Sequence, residues 1–247
     1  MLRRALANNE FSLNFQPIVD QHGSVISAEA LIRWPHPEKG IISPAQFIPL
    51  AEEKGLIIPI GEWVLHEALK TAASWQTLSD NPPSVSVNLS SVQLKRQNIP
   101  ALIKRLLCKT GLPAEKLTLE ITESLLMSDD AETLEQLERL RDMDINISID
   151  DFGTGYSSLS YLKKFPISHL KIDRSFVQEL PENDEDAALV KAIIAMSQSL
   201  NLRVIAEGVE TQAQSDFLAA LNCQYIQGYL NSKPLTEEAF KAYLLDH

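Results

Sequence analysis

Polar residues recur at every second position in three short β-branched or aliphatic segments of this chain. They are Ser86 and Asn88 in SVSVN; Thr118, Glu120 and Thr122 in LTLEIT; and Asn146, Ser148 and Asp150 in INISID. Ile145, Ile147 and Ile149 fill the opposite face of the third segment. A period of two marks a strand whose faces meet different surroundings. With HLKID and RVIAEGVE, five such segments end in a residue able to bind a hard cation or an anion: Asn88, Glu120, Asp150 with Asp151, Lys171, and Glu207. Helical periodicity fills the stretches between them. That alternation predicts parallel strands, whose ligand site lies beyond their carboxyl ends. Parallel strands covered by helices on both faces would read as nearly continuous apolar runs, so here one face meets helices and the other lines something polar. A closed TIM-type (β/α)8 barrel with a carboxylate-rich mouth fits this pattern better than an open sheet.

The remaining pattern fills in that barrel. FSLNFQPIVD and SVISAEALIRW, separated by Gln21, His22 and Gly23, predict a hairpin, which makes one early strand pair antiparallel. Ser43 before Pro44 starts a helix that Gly55 stops, and a long helix follows around Glu62 to Trp75. Further helices are expected over 100–110, 131–143, 184–200, 212–221 and 237–245. Pro166 marks the approach to the Lys171 strand. Leu2, Ala5 and Leu6 suggest an amphipathic first helix, where a linker from another domain would enter.

The 247 residues suit one barrel, typically about 250 residues long. No Pro/Gly/Ser-rich linker or low-complexity run divides the sequence, so residues 1–247 are expected to form one domain. A formal charge of −11 argues against a general DNA- or RNA-binding surface. It leaves room for a small phosphate ester, because divalent ions reverse the sign of an acidic pocket. Cys108 and Cys223 stand alone, which disfavours a disulfide framework or a cysteine zinc site and suits the reducing cytoplasm. No window approaches the roughly 18 apolar residues of a membrane span, and the opening MLRRALANNEF lacks the apolar core of a signal peptide.

DDFGTGYSSL, from Asp150 to Leu159, carries the sharpest chemistry. Adjacent carboxylates at a strand end can reach two cations, with Gly153 and Gly155 turning the backbone behind them; the bland reading is an acidic surface loop. Glu29 and Arg33 share a strand face, as a cation ligand and a phosphate clamp would, or as a surface ion pair would. Asn88, Glu120 and Asp150 offer only oxygen, which favours Mg²⁺ or Mn²⁺ over zinc. Lys171 could hold an attacking water or stabilise charge on phosphorus, or merely neutralise Asp173. The five histidines form no metal-binding motif.

AEALIRW, VNLS, LEITES, DDFGTGYSSL, LKIDRSFV, VIAEGVET and QGYLNSKPL occur in this order. Together they strongly resemble the EAL domain family of cyclic di-GMP phosphodiesterases, from FQPIVD to SKPL. The resemblance implies a TIM barrel with one antiparallel strand and two Mg²⁺ or Mn²⁺ ions that serve hydrolysis of cyclic di-GMP to linear pGpG, and the all-oxygen ligand set leads us to expect inhibition by the larger, more loosely coordinating Ca²⁺. Glu29, Asn88, Glu120 and Asp150 would hold one ion, and Asp150, Asp151 and Glu207 the other. Lys171 would contact the nucleophilic water or the phosphate, and Gln227 would bond near that water. Arg33 would bind a phosphate, Gln16 and Tyr229 would face the dinucleotide with Gln93 and Glu210 beside them, and Glu123 would anchor the DDFGTGYSS loop. A homodimer and a sensor or regulatory domain elsewhere in the full-length protein are further implications.

The departures from the family pattern are Phe15 for a frequent Tyr, Asn222 for Gly, and Ile226 and Asn231 beside QGYL. The last two are expected to alter the rim near one guanine. A catalytically silent cyclic di-GMP receptor is the main alternative, although every metal ligand and the Lys are kept. A barrel glycosidase would explain two acids but not Lys171 and Asn88.

Overall fold

The computed structural model describes residues 2–79, 81–126, 130–155 and 159–246. Nine strands form its sheet: β1 (Ser12–Asp20), β2 (Val25–His36), β3 (Gly40–Ile42), β4 (Ser84–Asn88), β5 (Leu117–Thr122), β6 (Asn146–Phe152), β7 (His169–Ile172), β8 (Arg203–Glu207) and β9 (Tyr225–Gln227). β1 pairs antiparallel with both β2 and β9, and the other barrel neighbours are parallel, so the sheet closes on itself. The barrel therefore has eight strands, with β3 added on the extended end of β2. The hairpin lies where the sequence predicts it, because Asp20 Oδ1 accepts from His22 N and Ser24 N and so closes the turn through Gly23.

The period-two pattern has the expected physical cause. Val85, Val87, Leu119, Ile121, Ile147, Ile149, Leu170, Ile172 and Val204 are buried beneath the surrounding helices. Each such side chain stabilises the fold by roughly 1.5–3 kcal/mol. The alternate positions enter the barrel. Neighbouring strands are staggered, so one row of paired residues runs from Asn88 to Glu120, Ser148, His169 and Arg203. It starts at the carboxyl end of β4 and reaches the amino end of β8.

Several elements differ from the sequence expectation. The long helix starts at Ile57 rather than near Glu62, because Pro59 is compatible with a first helical turn. Ser43 precedes the helix Pro44–Glu53 without a side-chain capping bond. β3, the helix Ser91–Arg96 and β9 are too short for periodicity to reveal. Ile226 sits in the core, facing away from the barrel interior that Tyr225 and Gln227 enter, so the expectation of a role at the rim is corrected. Asn222 takes the left-handed backbone (φ 57°) that its Gly-like position requires. Phe15 packs edge-on against Trp75 at 5.3 Å between ring centroids.

Candidate active site

The carboxyl ends of the strands bring five titratable side chains to one point. Lys171 Nζ, wholly buried, lies 2.7 Å from Glu207 Oε1, 3.0 Å from Glu120 Oε2, 3.3 Å from Glu29 Oε2 and 3.4 Å from Asp150 Oδ1. One ammonium faces four carboxylates, with Asp151 alongside. Burial of such charge is costly unless it is compensated. Asp173 is not part of the group: its Oδ1 accepts from Ser175 N and caps the turn Arg174–Phe176, so the reading of Lys171 as its neutralising partner is set aside.

The imbalance shows in the proton affinities. Burial, then repulsion from Glu29 and Asp150, pushes Glu120 well above the usual carboxylate range despite Lys171. Burial and the same type of repulsion take Glu207 to about 8, again against the pull of Lys171. Asp151 is raised by burial and by Asp150. Glu29 moves the other way: burial opposes its charge, but Lys171 and hydrogen bonds from Gln227 and Asn88 outweigh it. The two glutamates differ because Glu29 has three donors, with Asn88 Nδ2 at 2.7 Å from Oε1 and Gln227 Nε2 at 2.7 Å from Oε2, whereas Glu120 has Lys171 alone at full hydrogen-bond geometry. For Lys171 the carboxylates overcome burial and hold the ammonium protonated.

This surplus of buried acid fits divalent cations. Asp150, Asp151 and Glu207 each offer an oxygen within 4.8 Å of the others. Asp151 reaches its place through a left-handed backbone (φ 56°). Glu120 Oε1 and Gln227 Oε1 are buried acceptors without a hydrogen-bond partner among the described residues. An all-oxygen donor set with unmet acceptors suits a hard ion and its water. Glu123 Oε2 accepts from Gly153 N at 2.8 Å, in the position expected of a loop anchor. A Cβ on Gly155 would fall 2.7 Å from Glu123 Oε1, so a larger residue there would push the Glu123 carboxylate aside. Tyr156, Ser157 and Ser158 of the same motif lie outside the described residues.

Two cavities flank the acids. One of about 200 Å³ is lined by Gln16, Glu29, Glu207, Glu210, Gln227 and Tyr229 together with Arg174 and Gln178. The other, about 400 Å³, runs from Arg33 and Asn88 over the apolar side chains of Ile48, Ile57, Ile60 and Val64. Arg33 is half-buried and feels Glu29 and Tyr229. Gln16 Oε1 accepts from Gln227 Nε2 and its Nε2 donates to Ser232 O. Gln93 lines the larger cavity: its Oε1 accepts from Ser90 N in a capping box, its amide lies where a Cβ on Gly61 would be, and its Nε2 is a buried donor without a hydrogen-bond partner among the described residues. Sequence reasoning missed Arg174, although it follows Lys171 by three residues in HLKIDRSFV, and it missed the apolar floor of the larger cavity.

A parallel barrel with one reversed strand, whose carboxyl mouth holds a buried acid cluster around a lysine and opens onto apolar and polar clefts, has its candidate site where barrel enzymes carry theirs. The sequence profile described as the EAL domain matches residues 1–234. The chain belongs to that family. It is 46% identical over 242 residues to the bifunctional diguanylate cyclase/cyclic di-GMP phosphodiesterase MucR of Pseudomonas aeruginosa, covering 98% of this chain and 35% of the relative. It is 43% identical over 250 residues to the cyclic di-GMP phosphodiesterase NbdA of the same organism, covering 99% and 32%. The solved PaMucR phosphodiesterase in complex with c-di-GMP superposes with a TM-score of 0.93 at 46% identity, covering 97% of each chain. The chain thus spans about a third of the length of the curated relatives it matches. Among the described residues, no helix is long and apolar enough to cross a membrane.

Proposed function

We propose that this domain hydrolyses one phosphodiester bond of cyclic di-GMP to give linear pGpG. The carrying observation is the buried Lys171 ringed by Glu29, Glu120, Asp150 and Glu207, with Asp151 beside them and Arg33 in the adjoining cleft. The resemblance to MucR and NbdA, whose names state this activity, supports the substrate.

Glu29, Asn88, Glu120 and Asp150 would hold one Mg²⁺ or Mn²⁺, and Asp150, Asp151 and Glu207 a second. Such ions lower the pKa of a water and offset charge on the phosphoryl oxygens. The protein's own groups do the rest. Lys171 donates from Nζ toward the attacking water or the phosphate and offsets negative charge, and Gln227, fixed on Glu29 through Nε2, keeps Oε1 free to accept from that water. Arg33 clamps a phosphate, while Gln16, Tyr229 and Glu210 line the side where the dinucleotide lies. Glu123 holds Gly153, the residue just beyond the end of β6 that carries Asp150 and Asp151. Four carboxylates around a lysine exceed what a two-acid glycosidase needs.

We also propose a homodimer, a sensor or regulatory domain elsewhere in the full-length protein, and a cytoplasmic site of action. Incubation with cyclic di-GMP and Mg²⁺, followed by nucleotide separation, tests the reading. Appearance of pGpG that EDTA abolishes is expected. Tight binding without turnover would identify a receptor instead, and hydrolysis undiminished by EDTA would refute the role of the ions.

A further inference from the structure

The interior of the barrel stays polar well below the acid cluster. Glu120 on β5 is flanked by two strands that each place a buried serine beside it. Ser148 is its registered partner on β6, and Ser86 lies on β4, two residues before Asn88, its partner on that side. Ser86 and Ser148 are 2% and 0% exposed. Ser86 Oγ, Ser148 Oγ and Glu120 Oε1 all lack a hydrogen-bond partner among the described residues. Ser86 is near enough to favour the charged form of Glu120, yet its hydroxyl does not reach full hydrogen-bond geometry. Three buried polar atoms on adjacent strands thus have no protein partner. Ser86 and Glu120 also line a cavity, and Ser148 stands next to Glu120 in the sheet register. A cavity of about 280 Å³ opens at the amino-terminal mouth, lined by Ser84, Thr118, His169 and Arg203, and reaches Ser86 and the underside of Glu120.

Buried polar atoms of native proteins are almost always hydrogen-bonded, and ordered water supplies the partner where a polar cavity has room. We propose that ordered water entering from the amino-terminal mouth bridges Ser86 Oγ and Ser148 Oγ to Glu120 Oε1, which makes the two serines positioning residues for a cation ligand. The water accepts from the hydroxyls and donates to Oε1. Lys171 already holds Oε2 at 3.0 Å, so the second contact fixes the plane of the carboxylate from below. The serines are small enough to leave that space, which a Leu or Ile in the same barrel layer would close. The inference rests on the metal-dependent reading only in naming Glu120 as a ligand.

The test needs no nucleotide. Crystal structures of the wild type and of the Ser86→Ala/Ser148→Ala double variant would be compared, with Mn²⁺ titrations followed by electron paramagnetic resonance. The wild type should show a water within hydrogen-bond distance of Glu120 Oε1 and at least one serine. The double variant should bind Mn²⁺ roughly tenfold more weakly, the usual scale for lost partners of metal ligands. Ser148→Thr, which keeps a hydroxyl, should restore most of the affinity that Ser148→Ala loses. A protein atom bonded to Glu120 Oε1 in wild-type density would overturn the proposal even if the variants failed to fold, and so would Mn²⁺ binding unchanged in the double variant. Failure of the phosphodiesterase reading would look different: normal Mn²⁺ binding and the bridging water, but cyclic di-GMP left intact.

Discussion

Removing divalent ions should make this protein lose stability as pH rises from 6.5 to 8. Glu207 is driven from an ordinary 4.5 to about 8 by burial and by its acidic neighbours. Between those values the folded chain keeps a proton that the unfolded chain releases, so stability falls with pH across the interval. His169 contributes the opposite slope, since burial and then Arg203 lower it from 6.5 to about 4. Its stabilising effect grows from pH 4 to 6.5 and is complete above that, which leaves the upper window to the carboxylates. Over one and a half pH units, at about 1.4 kcal/mol per unit, Glu207 alone costs about 2 kcal/mol. For a chain of this size that corresponds to a drop of about 4–8 °C in Tm. Glu120 is shifted in the same direction and adds to the slope. Thermal melts in EDTA at pH 6.5, 7.25 and 8 would measure it, repeated with saturating Mg²⁺. An ion at a hundred times its Kd should add about 2.7 kcal/mol and flatten the slope, because it binds the ionised carboxylates. Glu207→Gln should reduce the slope without ions, leaving the share that Glu120 contributes. A metal-free Tm that is constant or rising over this window, or a Glu207→Gln variant with the full wild-type slope, would refute the electrostatic account.

Replacing Mg²⁺ by Ca²⁺ should suppress turnover while preserving nucleotide binding, because the larger ion tolerates looser coordination than in-line attack needs; equal rates with both ions would contradict this. Glu29→Ala or Asp150→Asn should abolish hydrolysis, whereas Arg33→Ala should raise KM with little change in kcat. A fall in kcat at unchanged KM would move Arg33 into the transition-state machinery. Gly228→Ala would place a Cβ 2.0 Å from Val209 O, and the overpacking should cost about 1–3 kcal/mol, read as a lower Tm. Glu123→Ala should release Gly153 N and raise the metal concentration needed for half-maximal activity without removing a ligand. Sedimentation over a dilution series with parallel assays would show whether dimer dissociation does the same, as coupling through this loop requires, and a fully active monomer would exclude that coupling.

Much of the barrel was legible because its strands carry two independent signals. In β6, Ile147 and Ile149 report the helical layer while Ser148 and Asp150 report the interior. β9 carried no such signal. Three residues cannot display a period, and its role became visible only once Gln227 was seen registered with Ile18 on one side and Glu207 on the other. Ile226 was misassigned for a related reason. Its neighbourhood in the sequence is the QGYL motif, but the pleat turns it to the opposite face from Gln227.

The acid cluster was legible as a set of strand ends, but its balance was not. Sequence placed Lys171 among carboxylates without saying which, and Asp173, two residues away, was the nearest candidate. Strand stagger decides the matter: it lifts Glu29, Glu120, Asp150 and Glu207 to the level of Lys171, while Asp173 turns outward to cap the following turn. The same stagger explains why the polar period does not stop at the mouth. A row that begins at Asn88 and ends at Arg203 must cross the barrel from one end to the other, so its members include both the proposed cation ligands and residues of the opposite mouth. Ser148 is neither. It lies between Glu120 and His169 in that row, and a pattern that looked like a device for presenting ligands is equally one for keeping the interior beneath them hydrated.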